Sequence, residues 1–212
     1  MPHPPYDDEP TLHMVQRATS GDEQAWEALV GIHRGRLRRM VELRLDRRLQ
    51  GRLDASDVVQ ESLVDAARRL RQYAERPTMP FFLWLRFLTG QRLAEQHRRH
   101  LGAKARNAAR EVSLEGGYVP SATTARMALQ LVCDQTTPSE AIERGERQQQ
   151  LQQALDALDP IDREVLAMRH FEQLTNGEVA AALGIDKSAA SKRYLRALGR
   201  LKDIVATFPD SH

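Results

Sequence analysis

A glycine near the carboxyl end separates two stretches of helical periodicity, LTNGEVAAAL and IDKSAASKRYLRALGRL, within residues 174–201. Thr175 is a suitable N-cap, and Glu178 stands three residues later, where a capping box requires a carboxylate. Gly184 tolerates the positive φ that ends many helices. Asp186 or Ser188 can cap the second stretch. The sequence therefore predicts two helices joined by a tight turn.

The second predicted helix has an apolar side and a basic side. Its apolar stripe consists of Ala190, Tyr194, Leu198, Leu201 and Val205. The opposite side carries Ser188, Ser191, Lys192, Leu195 and Arg196, flanked by Lys187, Arg193, Arg200 and Lys202. Hydroxyls and cations suit a helix in the DNA major groove, and Leu195 could touch a thymine methyl group. The alternative is a surface helix with a solvated basic face. The glycine turn and the small residues 180–182 favour a helix-turn-helix.

Length and composition restrict the class of protein. The 212 residues, 41% hydrophobic and 28% charged, suit one large globular domain or two small ones. The longest apolar run, Phe81–Leu85, is too short to span a bilayer, and the acidic, proline-rich start lacks a signal-peptide pattern. The single cysteine, Cys133, cannot form an intrachain disulfide. We therefore expect a cytoplasmic protein without membrane insertion.

Charge is distributed in blocks although the net charge is only +2. Basic blocks cover Arg34–Arg52, Arg86–Arg110 and Lys187–Lys202, whereas Glu140–Glu164 leans acidic. Blocks of one sign on a nearly neutral chain suggest local phosphate-binding surfaces.

Helical periodicity extends over most of the chain, and no period-two alternation predicts a sheet. After a disordered lead at residues 1–10, four helices within 11–105 form one domain, the last covering Phe81 to about His100. A linker follows at 106–137, with a short helix expected at Ala125–Val132. Residues 138–208 form the helix-turn-helix domain. The predicted fold is all-α, with two small helical domains joined by the linker.

Asp57, Gln60, Glu61 and Asp65 share one face of the third helix. These carboxylates could hold a metal, but no histidine is in register with them, and a solvated face or a partner-docking face are the other interpretations. The seven histidines show no ligand spacing, and no phosphate loop or nucleophile motif occurs. The sequence therefore predicts no catalytic site, no metal and no cofactor.

The helix from Phe81 begins with aromatic residues and ends with Arg98 and Arg99. Aromatic residues beside cations suit stacking on unpaired bases. Helical spacing makes most of these aromatics core residues instead. The basic end is the stronger phosphate contact.

Four segments in order resemble the extracytoplasmic-function (ECF) sigma factors of bacterial RNA polymerase. Residues 57–63 (DVVQESL) are similar to the region 2.2 motif of that family, and residues 84–88 (WLRFL) with Gln91 and HRR at 97–99 are similar to regions 2.3–2.4. Residues 158–166 (LDPIDREVL) resemble the start of region 4. Residues 184–193 (GIDKSAASKR) resemble its turn and recognition helix.

The resemblance implies a non-catalytic subunit that directs core polymerase to promoters. Its implied partners are the β′ and β subunits of core RNA polymerase and promoter DNA. An anti-sigma factor is a further partner that the family allows. Asp57, Gln60 and Glu61 would bind the polymerase. The −10 element would be read and melted by Arg76, Thr78, Trp84, Gln91, Arg98 and Arg99. The −35 element would be read by Lys187, Ser188, Ser191, Lys192, Arg193, Leu195 and Arg196.

The chain also departs from the family pattern. Gln91 replaces the usual asparagine, Ala189 and Ala190 replace Thr-Val, and Lys192 replaces a serine, so the promoter sequence is not predicted. Two other functions compete with the sigma-factor interpretation. One is a self-sufficient helix-turn-helix repressor or activator. The other is a metal-dependent nucleic-acid enzyme using Asp57, Glu61 and Asp65.

Overall fold

The computed structural model describes residues 9–49, 51–101, 113–114, 117–133 and 141–207. The predicted all-α class is confirmed. The helices in chain order are α1 (Glu9–Thr19), α2 (Glu23–Arg44), α3 (Ala55–Glu75), α4 (Phe81–Leu101), α5 (Thr124–Cys133), α6 (Ala141–Asp156), α7 (Pro160–Leu166), α8 (Asn176–Leu183) and α9 (Lys187–Val205). A 3₁₀ turn (Arg47–Leu49) follows α2, and a π-helical turn (Ala167–Phe171) follows α7.

Helices α1–α4 pack into an amino-terminal bundle. Asp22 caps α2 by accepting a hydrogen bond from the Ala25 amide at 3.1 Å, and Asp54 caps α3 through the Ser56 amide at 2.7 Å. The core of the bundle includes Leu29, Leu37 and many further apolar residues of α2, α3 and α4. Helix α2 ends at Arg44, and the chain then turns into the 3₁₀ segment.

Part of the expected linker packs on both the amino-terminal and the carboxyl-terminal helices. Helix α5 forms where a short helix was expected and packs on α6 and α2. The Thr123 amide and hydroxyl both donate to the carbonyl of Leu43 at 3.0 Å. A two-stranded antiparallel ladder pairs Ser113–Leu114 (β1) with Gly117–Tyr118 (β2). No period-two alternation indicated this ladder, because two-residue strands are too short to show one. The predicted domain boundaries, 11–105, 106–137 and 138–208, remain predictions.

Most of the expected disordered lead lies outside the described residues, and so do residues 106–112, 115–116 and 134–137 of the expected linker. Among the described residues, no helix is both long and apolar enough to cross a membrane.

The carboxyl-terminal helices α6–α9 pack against the amino-terminal bundle as well as against one another. One hydrophobic cluster contains bundle residues such as Leu37 and Phe81 together with Val165, Met168 and Val179 of the carboxyl-terminal part. A second cluster joins Leu43, α5 and the inner faces of α7 and α9. Two helical units are therefore present, and they share a continuous apolar contact.

Candidate nucleic-acid interface

The predicted helix-turn-helix forms from α8 and α9. The Glu178 amide donates to Thr175 Oγ1 at 3.1 Å and the Thr175 amide donates to Glu178 Oε2 at 2.7 Å, which completes the capping box. Gly184 adopts φ +63°, in the left-handed region that favours glycine. Asp186 caps α9 by accepting from the Ala189 amide at 2.8 Å. The local signals in the sequence predicted the turn correctly.

The buried side of α9 differs from the predicted stripe. Ala190 and Ala197 are fully buried, and Leu201 and Ile204 pack beside them, whereas Leu198 and Val205 are more than one third exposed. The prediction that Leu198 and Val205 lie in the core was therefore wrong. The methyl side chain of Ala197 allows close approach of the packed helices, which turns the apolar side of α9 toward position 197.

The outer side of α9 carries the predicted duplex-DNA contacts. Lys187, Ser188, Lys192, Leu195 and Arg196 are exposed, and Ser191 is half-buried. Leu195 is 64% exposed, which is unusual for a leucine on a packed helix. These side chains form a continuous polar surface with one apolar member, as major-groove recognition requires.

Arg193 differs from the other predicted DNA contacts because it forms an ion pair within the protein. Its Nη1 lies 3.4 Å from the buried carboxylate of Asp162 on α7, and Arg200 Nη1 lies 3.2 Å from the other oxygen of the same carboxylate. Two arginines of α9 are thus fixed to α7 by one buried aspartate. The sequence did not indicate this role for Asp162, because its partners lie more than thirty residues away.

The second basic surface lies at the carboxyl-terminal end of α4. Gln91, Arg98 and Arg99 are exposed, and Arg99 Nη2 donates to Glu95 Oε1 at 2.7 Å. Gln91 and Arg98 line a groove of about 320 Å³ between α3 and α4. A groove of this volume is large enough for a small ligand. Its lining also holds Asp65 paired with Arg69 and Glu95 paired with Arg92, next to Arg98.

The loop before α4 presents two more predicted contacts. Arg76 and Thr78 are exposed on it, and the Tyr73 hydroxyl donates to the carbonyl of Met79 at 2.9 Å. Trp84 is half-buried and stacks on Tyr73, with ring centroids 4.5 Å apart. Phe81 and Phe82 are buried, as expected for core aromatics. The loop is therefore held at its base while its polar side chains face outward.

His97 lies beside the basic end of α4 and is largely enclosed. The amide of Asp46 donates to His97 Nε2 at 3.4 Å. Burial lowers the pKa of His97, and Arg48 adds to that effect against the opposing charge of Asp46. The cationic character of this end of α4 therefore comes from Arg98 and Arg99.

The predicted polymerase-binding residues lie together on the outer face of α3. Asp57, Gln60 and Glu61 are all exposed. Arg34 Nη2 donates to Gln60 Oε1 at 3.2 Å, and Glu61 lies 3.6 Å from Arg92. The structure thus brings the three residues onto one surface, separate from α9. Within the part of the chain that is described, no group of three or more histidine, cysteine, aspartate or glutamate side chains is arranged to hold a metal.

Sequence reasoning missed a buried cluster of four charged residues. Arg44 and Arg86 lie in predicted phosphate-binding blocks, but both are buried and paired with Glu164 and Glu172. The assignment of these two arginines to a phosphate-binding surface was therefore wrong. The helical spacing could have indicated the burial of Arg44. This residue follows Val41 by three positions and so lies near the apolar side of α2.

The pKa values in this cluster reflect the ion pairs. Burial alone lowers the pKa of Arg44, but the charges of Glu164 and Glu172 outweigh it and raise the pKa. Burial alone raises the pKa of Glu172, and the charges of Arg44 and Arg86 reverse the effect and lower it. Arg44 and Glu172 are therefore both charged at neutral pH.

Comparisons with known proteins give one family-model match and two similar solved structures. Residues 148–201 match the family model described as sigma-70, region 4. The chain is similar to CnrH, solved in complex with the cytosolic domain of CnrY, with 19% identity and a TM-score of 0.55, covering 95% of this chain and 100% of that one. It is also similar to the sigma factor RpoE of Bartonella quintana, solved with the anti-sigma factor NepR, with 16% identity, a TM-score of 0.45 and coverage of 86% and 97%. No curated protein matches the chain.

Proposed function

We propose that this chain, whose residues 148–201 match the family model described as sigma-70, region 4, is a promoter-specificity subunit of the ECF type. It acts by binding core RNA polymerase and promoter DNA, without a catalytic step of its own. Its place of action is then the cytoplasm, where transcription occurs. The observation that carries the proposal is the exposed basic face of α9 within a region 4 helix-turn-helix.

The duplex −35 element is assigned to α9. Lys192 and Arg196 are exposed one turn apart, so both can reach base edges or phosphates in one major groove. Lys187, Ser188, Ser191 and Leu195 complete the contact. Arg193 belongs to the same surface, and its pairing with Asp162 leaves it less free to approach DNA.

The −10 element is assigned to α4 and the loop before it. Gln91 lies beside a groove that could accept an unpaired base, while Arg98 and Arg99 supply phosphate contacts. Arg76 and Thr78 are exposed on the loop and are assigned to the same element. Trp84 is held by Tyr73, so it contributes as the wall against which a base packs.

Polymerase binding is assigned to Asp57, Gln60 and Glu61 on α3. An exposed polar surface with two carboxylates fits a basic surface on a partner, as electrostatic complementarity requires. CnrH, which has a similar fold, is bound to the cytosolic domain of CnrY in its structure, and an anti-sigma factor is the further partner proposed for this chain. The β and β′ subunits and promoter DNA are the principal partners.

Run-off transcription with core polymerase on fragmented genomic DNA tests the function. The double substitution Lys192→Ala and Arg196→Ala should abolish transcription from promoters that depend on a −35 element and leave polymerase binding intact. Arg68→Ala with Arg71→Ala, which removes two exposed cations of α3 outside the proposed sites, is the matched control. Loss of polymerase binding in the α9 variant would contradict the residue assignment. Binding of the chain alone, as a dimer, to a palindromic operator would overturn the function.

A further inference from the structure

Asp162 of α7 is a buried carboxylate that two arginines of α9 share. Its side chain is 2% exposed. Arg193 Nη1 lies 3.4 Å from its Oδ1, and Arg200 Nη1 lies 3.2 Å from its Oδ2. The two arginines are seven residues apart on α9, which is about two helical turns. The carboxylate therefore lies between two cations, one on each side along the helix axis.

This group carries one negative and two positive charges. A buried carboxylate without a cation is strongly unfavourable, but a single guanidinium group is enough to balance it. Both distances exceed the roughly 2.7–2.9 Å of a close charge-assisted hydrogen bond, so neither arginine holds Asp162 at the closest approach. Within the described residues, neither arginine forms another ion pair. One of the two can therefore leave Asp162 while the other keeps it paired.

Arg193 is the arginine that DNA can draw away from Asp162. It precedes Arg196 by three residues, so the two side chains are neighbours on the surface assigned to the −35 element. Its side chain is 33% exposed, so solvent already reaches it. Arg200 is more exposed, at 52%, but it lies about 10 Å farther along the axis of α9, beyond the assigned contacts. A phosphate in the groove can therefore bind Arg193 while Arg200 stays on Asp162.

We propose that Asp162 and Arg200 are positioning residues that decide whether Arg193 can contact DNA. In the free chain, Asp162 holds both arginines. On promoter DNA, Arg193 moves to a backbone phosphate, to which an arginine can donate two parallel hydrogen bonds, and Arg200 alone balances Asp162. The inference rests on the proposed function, because it requires α9 in the major groove. Arg200 is then needed for full promoter affinity although it touches no DNA itself.

Equilibrium binding of the polymerase holoenzyme to a labelled promoter fragment, chosen by run-off transcription, tests this transfer. Arg193→Ala should weaken binding about tenfold, as expected for the loss of one hydrogen bond to a charged group. The slope of log affinity against log salt concentration should fall in magnitude by about 0.9, the value for one phosphate. Arg200→Ala should produce the same two changes, because Arg193 is then the sole partner left for Asp162. Wild-type affinity and slope in either variant would overturn the proposal.

The double variant Arg200→Ala with Asp162→Asn distinguishes positioning from direct DNA contact. Asparagine is uncharged and close in size to aspartate, so Arg193 is no longer held, and the affinity and the salt slope should return to about the wild-type values. If Arg200 bound DNA directly, Asp162→Asn would restore neither. Adding Arg193→Ala to the double variant should remove the recovery. A recovery that persisted would come only from the lost negative charge and would contradict the role of Arg193.

Lys202→Ala is the matched control for Arg200→Ala. It removes an exposed cation of α9 two residues from Arg200 that the described ion pairs of Asp162 do not include. Affinity and salt slope should stay at the wild-type values. A loss equal to that of Arg200→Ala would assign the effect to the overall charge of α9 and refute the positioning role.

Circular dichroism and co-purification with core polymerase show that each variant is folded. Because Arg200 is half exposed, Arg200→Ala tests the proposal even if Asp162→Asn were unstable. Failure of the wild-type holoenzyme to bind any promoter specifically would refute the proposed function itself. Specific promoter binding with unchanged salt slopes in Arg193→Ala and Arg200→Ala would overturn only the transfer of Arg193 and leave the proposed function standing.

Discussion

Arg86 Nε donates to Glu172 Oε2 at 2.7 Å, and this pair joins the helix that carries Gln91 to the turn that precedes the helix-turn-helix. The two residues are 86 positions apart in the chain, and both side chains are at most 3% exposed. The proposed −10 surface and the proposed −35 surface are thereby held in a fixed relation. The stability of this relation can be measured directly.

Glu172→Gln should lower the free energy of unfolding by about 3–5 kcal/mol, because Arg86 then loses its carboxylate in a buried site and Arg44 keeps only that of Glu164. Urea titration followed by far-ultraviolet circular dichroism measures the change. Glu42→Gln alters an exposed pair and should leave the midpoint unchanged. Equal midpoints for Glu172→Gln and wild type would show that the cluster is not a buried, charge-coupled contact.

Acid should destabilise the wild-type protein more than the Glu172→Gln variant. The pKa of Glu172 lies below its ordinary value of 4.5 in the folded chain, because the attraction of Arg44 and Arg86 outweighs burial. The stabilisation of the folded chain by ionised Glu172 is therefore complete above pH 4.5, the ordinary pKa. It is lost as the pH falls through the lower pKa of the folded state. Urea midpoints measured from neutral pH downward should fall more steeply for wild type. Asp46, whose pKa is also lowered, contributes equally to both proteins.

Short-range features of this chain were predictable from its sequence. The capping box of Thr175 and Glu178, the turn at Gly184 and the cap at Asp186 all depend on residues within a few positions of one another. Helical periodicity likewise predicted the all-α class. Because these signals are local, they can be recognised in the sequence without knowledge of the tertiary fold.

Long-range features were not predictable. Arg44 and Glu164 are 120 positions apart, and nothing in either neighbourhood indicates that they meet. The side of α9 that packs was misplaced at Leu198, because the choice between Ala197 and Leu198 depends on how closely the neighbouring helices approach. Similarly, residues 119–133 fall within the predicted linker, yet this segment packs on Leu43 and α6. That packing depends on distant parts of the chain and could not be read from the local composition.

Gly184→Ala should destabilise the helix-turn-helix domain by about 1 kcal/mol, because an alanine at φ +63° is sterically disfavoured. The matched control is Gly199→Ala within α9, where an added Cβ meets no atom within 4 Å. That change should stabilise the domain by about 0.5–1 kcal/mol, since alanine favours the helix. Thermal unfolding followed by circular dichroism distinguishes the two. Equal effects of both substitutions would contradict the turn geometry.

Gly90→Ala should destabilise the contact between the linker and α4. An added Cβ would lie 2.7 Å from Cγ2 of Val119, and overpacking of this kind costs about 1–3 kcal/mol. The double variant with Val119→Ala should recover most of the loss, since the obstructing methyl groups are gone. Gly35→Ala, with open space around it in α2, is the control. Additive effects in this double-mutant cycle would show that the linker does not pack on α4 in solution.

Leu195→Ala should weaken DNA binding without reducing stability. Leu195 is 64% exposed, so truncation removes little buried apolar area from the free protein. In the proposed complex the side chain is covered by a base step, and its loss should cost about 1–2 kcal/mol, or roughly 5–30-fold in affinity. Binding of the polymerase holoenzyme to a labelled promoter fragment measures this, beside urea titration of the free protein.

Val205→Ala provides the comparison for Leu195→Ala. Val205 is also an exposed apolar residue of α9, but it lies about 15 Å farther along the helix axis and outside the proposed contacts. It should leave promoter affinity unchanged. If both substitutions reduced affinity equally, the effect would come from helix stability and not from a base contact. If Leu195→Ala alone acted, and acted only on promoters with thymine at one −35 position, the exposed leucine would be a determinant of promoter choice.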